Sequence, residues 1–218
     1  MTVFSDFNRQ QIANDYLQQG VTIKRQNFSK PQFLGKFDGF FENRDVLFIN
    51  RNHLFEAFSE SKHEGILKTL MWGFPTGGRG FLLQKVLESI EFFERCISLC
   101  SSVTEENFHD INSISGVKFA TTTKFLYFSR AKIDGMNCLI FDARVKNFIQ
   151  RNNYAEFFGL KEIFNAGSYG ISFAEYSSYV LAMHKLANQL YVTPDELELY
   201  FFSNVPGMRP PSHIIQKE

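Results

Sequence analysis

The sequence predicts a mostly α-helical domain with a less regular first quarter, and three observations carry that reading. Apolar residues recur at helical spacing in several windows, most plainly at Leu83, Val86, Leu87, Ile90, Phe93 and Ile97. Two capping boxes stand in the last quarter: Ser172 with Glu175, and Thr193 with Glu196, the second with Pro194 at the first helical position. There is no internal repeat, and six Pro in 218 residues are too few to mark a long linker. One continuous domain over 1–218 is therefore expected, with an irregular or helical part over 1–62, a helical core over 63–202 and a tail over 203–218.

The elements follow in order. A first helix is expected over 6–18, capped by Ser5 and stopped near Gly20. Between 21 and 55, Pro31, Gly35 and Gly39 punctuate short aromatic runs, with a candidate strand over 45–50. Helical spacing then marks 64–72 and one long amphipathic helix over 81–99. Thr104 caps a short helix to about 114, with Glu105 and Glu106 in its first turn, where negative charge suits the helix dipole. Gly116 interrupts the pattern, which resumes over 119–128. After a loop holding Asp134 and Gly135 comes the apolar run Leu139, Ile140, Phe141; Asp142 then opens a helix to about 150. Helices over 173–191 and from 194 complete about seven, an irregular bundle.

Composition narrows the function. The chain carries 23 Lys+Arg against 23 Asp+Glu, so a globally basic nucleic-acid binder is excluded and a polyanion must be held by a local patch. Such a patch has a candidate. From 116 to 150 six basic residues, Lys118, Lys124, Arg130, Lys132, Arg144 and Lys146, face two acids, an excess of four, offset by acidic stretches such as 195–198. The 26 Phe exclude disorder and imply a core of flat side chains. Polar residues 1–9 show no secretory signal, and no window is apolar enough to span a membrane, so a cytoplasmic protein is expected. Three cysteines, Cys96, Cys100 and Cys138, suit a reducing compartment and read as core packing. The five His have no metal-ligand spacing, and no metal is expected.

The segment over 111–128 reads as a helix end, a tight turn at Gly116 and a second helix beginning near Lys118. Freed amides at that helix start, with the positive dipole end behind them, can hold a phosphate without reading sequence. An ordinary helical hairpin uses the same turn. The glycine-rich stretch over 73–80 approximates a phosphate loop, but Arg79 and Gly80 stand where Lys and Ser/Thr are needed, and no strand precedes it; nucleotide hydrolysis is excluded.

Ile114-Ser115-Gly116-Val117, the threonine-rich helix after it and the Leu139 to Val145 stretch with Asp142 resemble the helix-hairpin-helix, loop and Asp of the base-excision DNA glycosylase superfamily. More narrowly, Met71 to Gly80 followed by the long helix resembles a bacterial group described as 8-oxoguanine DNA glycosylase-like, some members of which are encoded beside antiphage defence systems. The resemblance covers about 65–202. It implies a helix-hairpin-helix DNA glycosylase-like helical domain and Asp142 as the catalytic carboxylate. It also implies Gly116, Val117 and Lys118 as the phosphate-gripping turn, with a monovalent cation on its carbonyls and no other cofactor. Arg144, Lys146 and Arg79 would contact DNA, while Trp72 and His184 would border the base pocket.

Two departures matter. Lys118 replaces the second Gly of the hairpin. Ala120 stands at the position of the Schiff-base lysine of strand-cleaving members, with Lys124 one helical turn on as a reserve nucleophile. The resemblance thus implies an enzyme that flips a modified, 8-oxoguanine-like purine from DNA and hydrolyses its N-glycosidic bond without lyase activity. It implies DNA and defence-system proteins as partners. The family's iron–sulfur cluster is excluded by the spacing of the three cysteines. The alternative readings are a non-catalytic DNA or nucleotide-binding module, and an all-helical protein-interaction domain.

Overall fold

A computed structural model describes Phe4 and residues 15–33, 35–78, 80–164, 171–208 and 214–215. Among them the chain is mostly helical, with ten α-helices and five short strands. Strands β1 (Gln19–Lys24), β2 (Val46–Asn50) and β5 (Ile214–Ile215) form an antiparallel sheet in the order β2-β1-β5. Gly20 therefore lies inside a strand instead of ending a helix. It pairs with Asn50, and a Cβ on it would collide with the Phe48 ring, so the close approach of β2 requires its bare backbone. Of the helix expected over 6–18, residues 6–14 lie outside the described residues, and Tyr16–Gln18 form a 3-10 turn. The candidate strand over 45–50 is present as β2.

Asn50 ends β2 and caps α1 (Arg51–Glu60), in a reciprocal box with His53. Helix α2 (Lys62–Gly73) packs on α1, α4 and α6. The long helix expected over 81–99 is two helices, α3 (Gly80–Glu88) and α4 (Ile90–Ser98). Ser89 leaves helical geometry at φ −105° and ψ 13°, and its amide bonds back only to Val86. The break hides from periodicity because Leu83, Val86, Leu87, Ile90, Phe93 and Ile97 are all buried on both sides of it.

Then come α5 (Glu105–Ser113), capped by Thr104, and α6 (Phe119–Phe128). A hairpin of β3 (Lys132–Ile133) and β4 (Met136–Asn137) turns at Asp134 and Gly135, both with positive φ. Helices α7 (Ala143–Arg151), α8 (Phe158–Phe164), α9 (Phe173–Leu190) and α10 (Pro194–Ser203) complete the chain. Both C-terminal capping boxes form as expected. No described helix is long and apolar enough to cross a membrane.

One hydrophobic cluster runs through all of this, and Phe supplies much of it. Phe28, Phe33 and Phe37 meet ring against ring in the N-terminal part; Phe4, Phe148, Phe157 and Phe201 do so beside α7 and α10. The three cysteines are buried there too, and burial raises all three thiols, Cys100 and Cys138 to about 12, as packing groups rather than ligands.

This interior also holds a charged residue, Arg51. Fully buried, it forms an ion pair with the equally buried Glu198 of α10 at 2.7 Å. It also donates to Gln19 Oε1 of β1 at 2.5 Å and to the Tyr127 hydroxyl of α6 at 3.0 Å. One side chain thus ties together the sheet, α1, α6 and α10. Removing it leaves a buried carboxylate alone, so Arg51→Ala is expected to lower stability by about 3–5 kcal/mol, read as the free energy of unfolding in urea.

Candidate functional site

The apolar run before Asp142 is extended, and its carbonyls are held from neighbouring helices. Tyr176 of α9 donates to Leu139 O at 2.7 Å and Tyr179 to Ile140 O at 3.0 Å. Thr123 of α6 brackets the next residue, with its hydroxyl 3.1 Å from both the carbonyl and the amide of Phe141. Burial raises the pKa of both tyrosines well above the ordinary value, keeping them protonated donors. These bonds deliver the chain to Asp142, the N-cap of α7, whose Oδ1 accepts from Arg144 N at 2.8 Å and Val145 N at 3.1 Å. Both bonds fall on one oxygen.

Asp142 lines a small cavity of about 30 Å³ with Trp72, Gly73, Lys124, Ile140 and Phe202, and with Gln19, Arg51 and Glu198. The constellation joins β1, α1, α2, α6, α10 and the start of α7. Trp72 is buried, packed edge-on to Phe128 with ring centroids 5.4 Å apart. Lys124 Nζ lies 6.0 Å from the centroid of the Trp72 ring. The cavity therefore holds the carboxylate, the amine and the lone Trp singled out from the sequence. Ala120, one helical turn before Lys124 on α6, does not line the cavity; Lys124 and Asp142 both do.

The turn before α6 stands apart from that cavity. Gly116 has φ +92°, and a Cβ there would collide with the Leu82 carbonyl of α3, so both conformation and packing demand glycine. The Val117 amide closes the turn on Ile114 O, and Lys118 is the N-cap of α6 without a side-chain cap bond. Thr122 fastens α6 to Asn112 of α5 at 2.7 Å. Gly116 and Lys118 border an apolar hollow with Phe74, Leu82, Leu83 and Val86 instead of the Asp142 cavity. Lys118 and Lys124 are six residues apart on one helix, so about 9 Å of α6 connects the two places.

Other residues singled out from the sequence fall differently. Arg144 does not project freely: its Nε donates to Phe202 O at 2.7 Å and its guanidinium lies 5.2 Å from the Phe202 ring centroid, fastening α7 to α10. Arg130 lies over the Phe55 ring at 4.5 Å. The basic excess of 116–150 is thus partly spent on internal contacts. Lys146 is half-buried on α7. His184 is not brought to the cavity; its ring contacts Asn137 O at 3.0 Å, because α9 runs past the β3–β4 hairpin at that level. Arg79 and His213 lie outside the described residues.

Gln19, Arg51 and Glu198 have no counterpart among the residues that the sequence singles out, where 195–198 figures only as an acidic stretch offsetting the basic one. One clue was available: Glu198 interrupts the apolar run Leu197, Leu199, Tyr200, Phe201, Phe202. Burial dominates its titration, raising its pKa from 4.5 to about 7 against the pull of Arg51, with Asp142 and Asp195 adding to the rise. Among the described residues, no group of three or more His, Cys, Asp or Glu could hold a metal ion.

A family model described as "Putative 8-oxoguanine DNA glycosylase OGG-like protein" matches residues 14–202. No curated protein and no solved structure matches the chain.

Because the folded state holds the Glu198 proton up to about pH 7 and the unfolded chain releases it near 4.5, that contribution to stability is present below 4.5 and lost as pH rises to about 7. Urea midpoints between about pH 5 and pH 7.5 should fall for this reason. Glu198→Gln, which cannot titrate, should flatten the slope.

Proposed function

The chain belongs to the 8-oxoguanine DNA glycosylase OGG-like family, and from that premise we propose that it takes a modified purine out of duplex DNA and hydrolyses its N-glycosidic bond at the Asp142 cavity. The observation that carries the reading is the meeting of Asp142, Lys124 and Trp72 in one cavity from three separate elements. A base inside a duplex is out of reach of any pocket, so the nucleotide must be flipped, at a cost of a few kcal/mol that is least for a damaged or mismatched base. The α5–Gly116–α6 hairpin, with Lys118 at the start of α6, grips phosphate beside the flipped nucleotide. A monovalent cation on the carbonyls of the turn would complete that grip. Lys146, and Arg79 ahead of α3, would add contacts to the strand.

At the scissile bond, positive charge develops on the sugar as C1′–N9 breaks and the electron pair leaves with the base. Asp142 is suited to stabilise that charge. Two amides at the start of α7 hold its Oδ1, and Oδ2 takes neither bond. The same carboxylate accepts the proton of the water that attacks C1′, and the departing base takes up a proton in turn. Lys124 supplies positive charge at the cavity, and is the amine that would attack C1′ if the enzyme also has lyase activity.

Duplexes carrying 8-oxoguanine or another oxidised purine should release the base. Asp142→Asn, which keeps an N-cap acceptor and hence the fold, should lower the rate by about 100-fold or more. Borohydride trapping of a covalent DNA adduct, lost in Lys124→Ala, would assign lyase chemistry; no adduct would leave hydrolysis alone. The second reading, a module that grips nucleic acid without cutting, is favoured by Ala120 and by the internal use of Arg144. It would be established by salt-sensitive DNA binding with no base released from any lesion.

A further inference from the structure

Three polar atoms of Gln19 and Glu198 lack a hydrogen-bond partner among the described residues although their side chains are buried; Glu198 Oε2 is met by the Arg51 ion pair, and two are left with neither. They are Gln19 Nε2, on a residue 1% exposed, and Glu198 Oε1, on a residue 0% exposed. Native interiors seldom leave such groups unmet, since each forfeits its water without replacement. Both belong to residues held by Arg51. A guanidinium can only donate, so the bond from Arg51 Nε fixes Gln19 with Oε1 toward Arg51 and the amide N–H turned away. The Arg51–Glu198 ion pair is made through Oε2, leaving Oε1 on the other side of the carboxylate. The guanidinium is itself fixed by donating to Tyr127, whose one hydroxyl proton goes to Asp195 Oδ1 at 2.7 Å. Every direction in this chain of bonds is determined, and it ends in one donor and one acceptor.

We propose that Arg51 is the positioning residue of this cavity, holding Gln19 and Glu198 so that the amide N–H and the second carboxylate oxygen read the edge of a guanine-type purine. The proposal rests on the cavity being the base site. Guanine offers a carbonyl acceptor at O6 for the Gln19 amide, and beside it two donors, N1–H and N2–H₂, for the Glu198 oxygen outside the ion pair. Adenine offers one donor and one acceptor, and leaves the carboxylate with less to bind. At about 30 Å³ the cavity is smaller than a purine, so a base enters only if the lining rearranges; Lys124, facing the Trp72 ring, is a half-exposed member of that lining.

Trp72 is the single tryptophan of the chain and lines the cavity, so its fluorescence reports occupancy directly. Guanosine, inosine and adenosine would be titrated into the full chain, with base release from lesion-bearing duplexes measured alongside. Guanosine should quench Trp72 at about tenfold lower concentration than adenosine, with inosine, which lacks the 2-amino group, between them. Arg51→Lys keeps the charge but loses the fork that holds both partners, and Glu198→Gln turns the acceptor into an amide of the same shape; both should bring the guanosine-to-adenosine ratio close to one. A residue with a merely structural role would alter stability and leave that ratio alone. If Arg51→Lys does not fold, the isosteric Glu198→Gln decides. An unchanged ratio in the folded variants, or adenosine binding as well as guanosine, would overturn the proposal even if the wild type excises bases. Failure of every nucleoside to quench Trp72, with base release intact, would overturn it as well. A guanosine preference that both variants abolish, in a protein releasing no base from DNA, would uphold the proposal and remove the enzymatic reading instead.

Discussion

A guanidinium shut away from water has to be met by acceptors at nearly every hydrogen, and Arg51 is met by elements far apart in the chain. Gln19 comes from β1, Tyr127 from α6 and Glu198 from α10. The desolvation of two buried charges is repaid only by close geometry, so the elements carrying these groups cannot drift relative to one another without exposing an unpaired charge. Arg51 is the first residue of α1, placed by the Asn50 cap that ends β2, so the local capping geometry sets the long-range contact. The cavity beside Asp142 exists where these same elements meet. Its shape and the position of the ion pair are therefore one constraint.

Around this polar centre, hydroxyls do for the backbone what the ion pair does for the elements. The stretch from Leu139 to Phe141 has no sheet partner, and buried carbonyls without one would be costly. Tyr176, Tyr179 and Thr123 supply the missing donors, and the last of these comes from the helix that also carries Lys124. The amine and the carboxylate of the site are thereby held in register through one threonine. Arg144 closes the frame from the other side through Phe202 O. The Phe excess belongs to this frame as well: Phe125, Phe128, Phe141 and Phe148 are buried in the core, and the ring that lines the cavity besides Trp72 is Phe202.

Local features were legible in the sequence and relations between distant ones were not. Caps at Thr104, Ser172 and Thr193 declared their helices because a cap is a contact across three residues. Asp142, Gly116 and Lys124 could be singled out because each sits in a short pattern with its own physical sense. The break at Ser89 was invisible, since the apolar stripe stays in phase across it. Arg51 and Gln19 were invisible for another reason: their bond spans 32 residues, and neither stands in any local pattern. Glu198 did not stand out because it ends an acidic stretch, 195–198, although its own position faces the core; Asp195 and Glu196 next to it serve the helix start.

What distinguishes the cavity chemically is that it holds two carboxylates in opposite circumstances. Asp142 is half-exposed at a helix N-terminus and takes two amide bonds on a single oxygen. Glu198 is wholly buried, and its pKa rises to about 7 because burial outweighs Arg51 and because Asp142 is itself negative nearby. An acid that burial lifts toward neutrality can exchange a proton there. Asp142 faces the sugar in the proposed reaction, and Glu198 faces the base. A glycosidic bond needs that polarity, since charge leaves the sugar positive and the departing purine negative. Arg51 sets the balance between them, because it is the cation that keeps Glu198 from becoming permanently neutral in so dry a place.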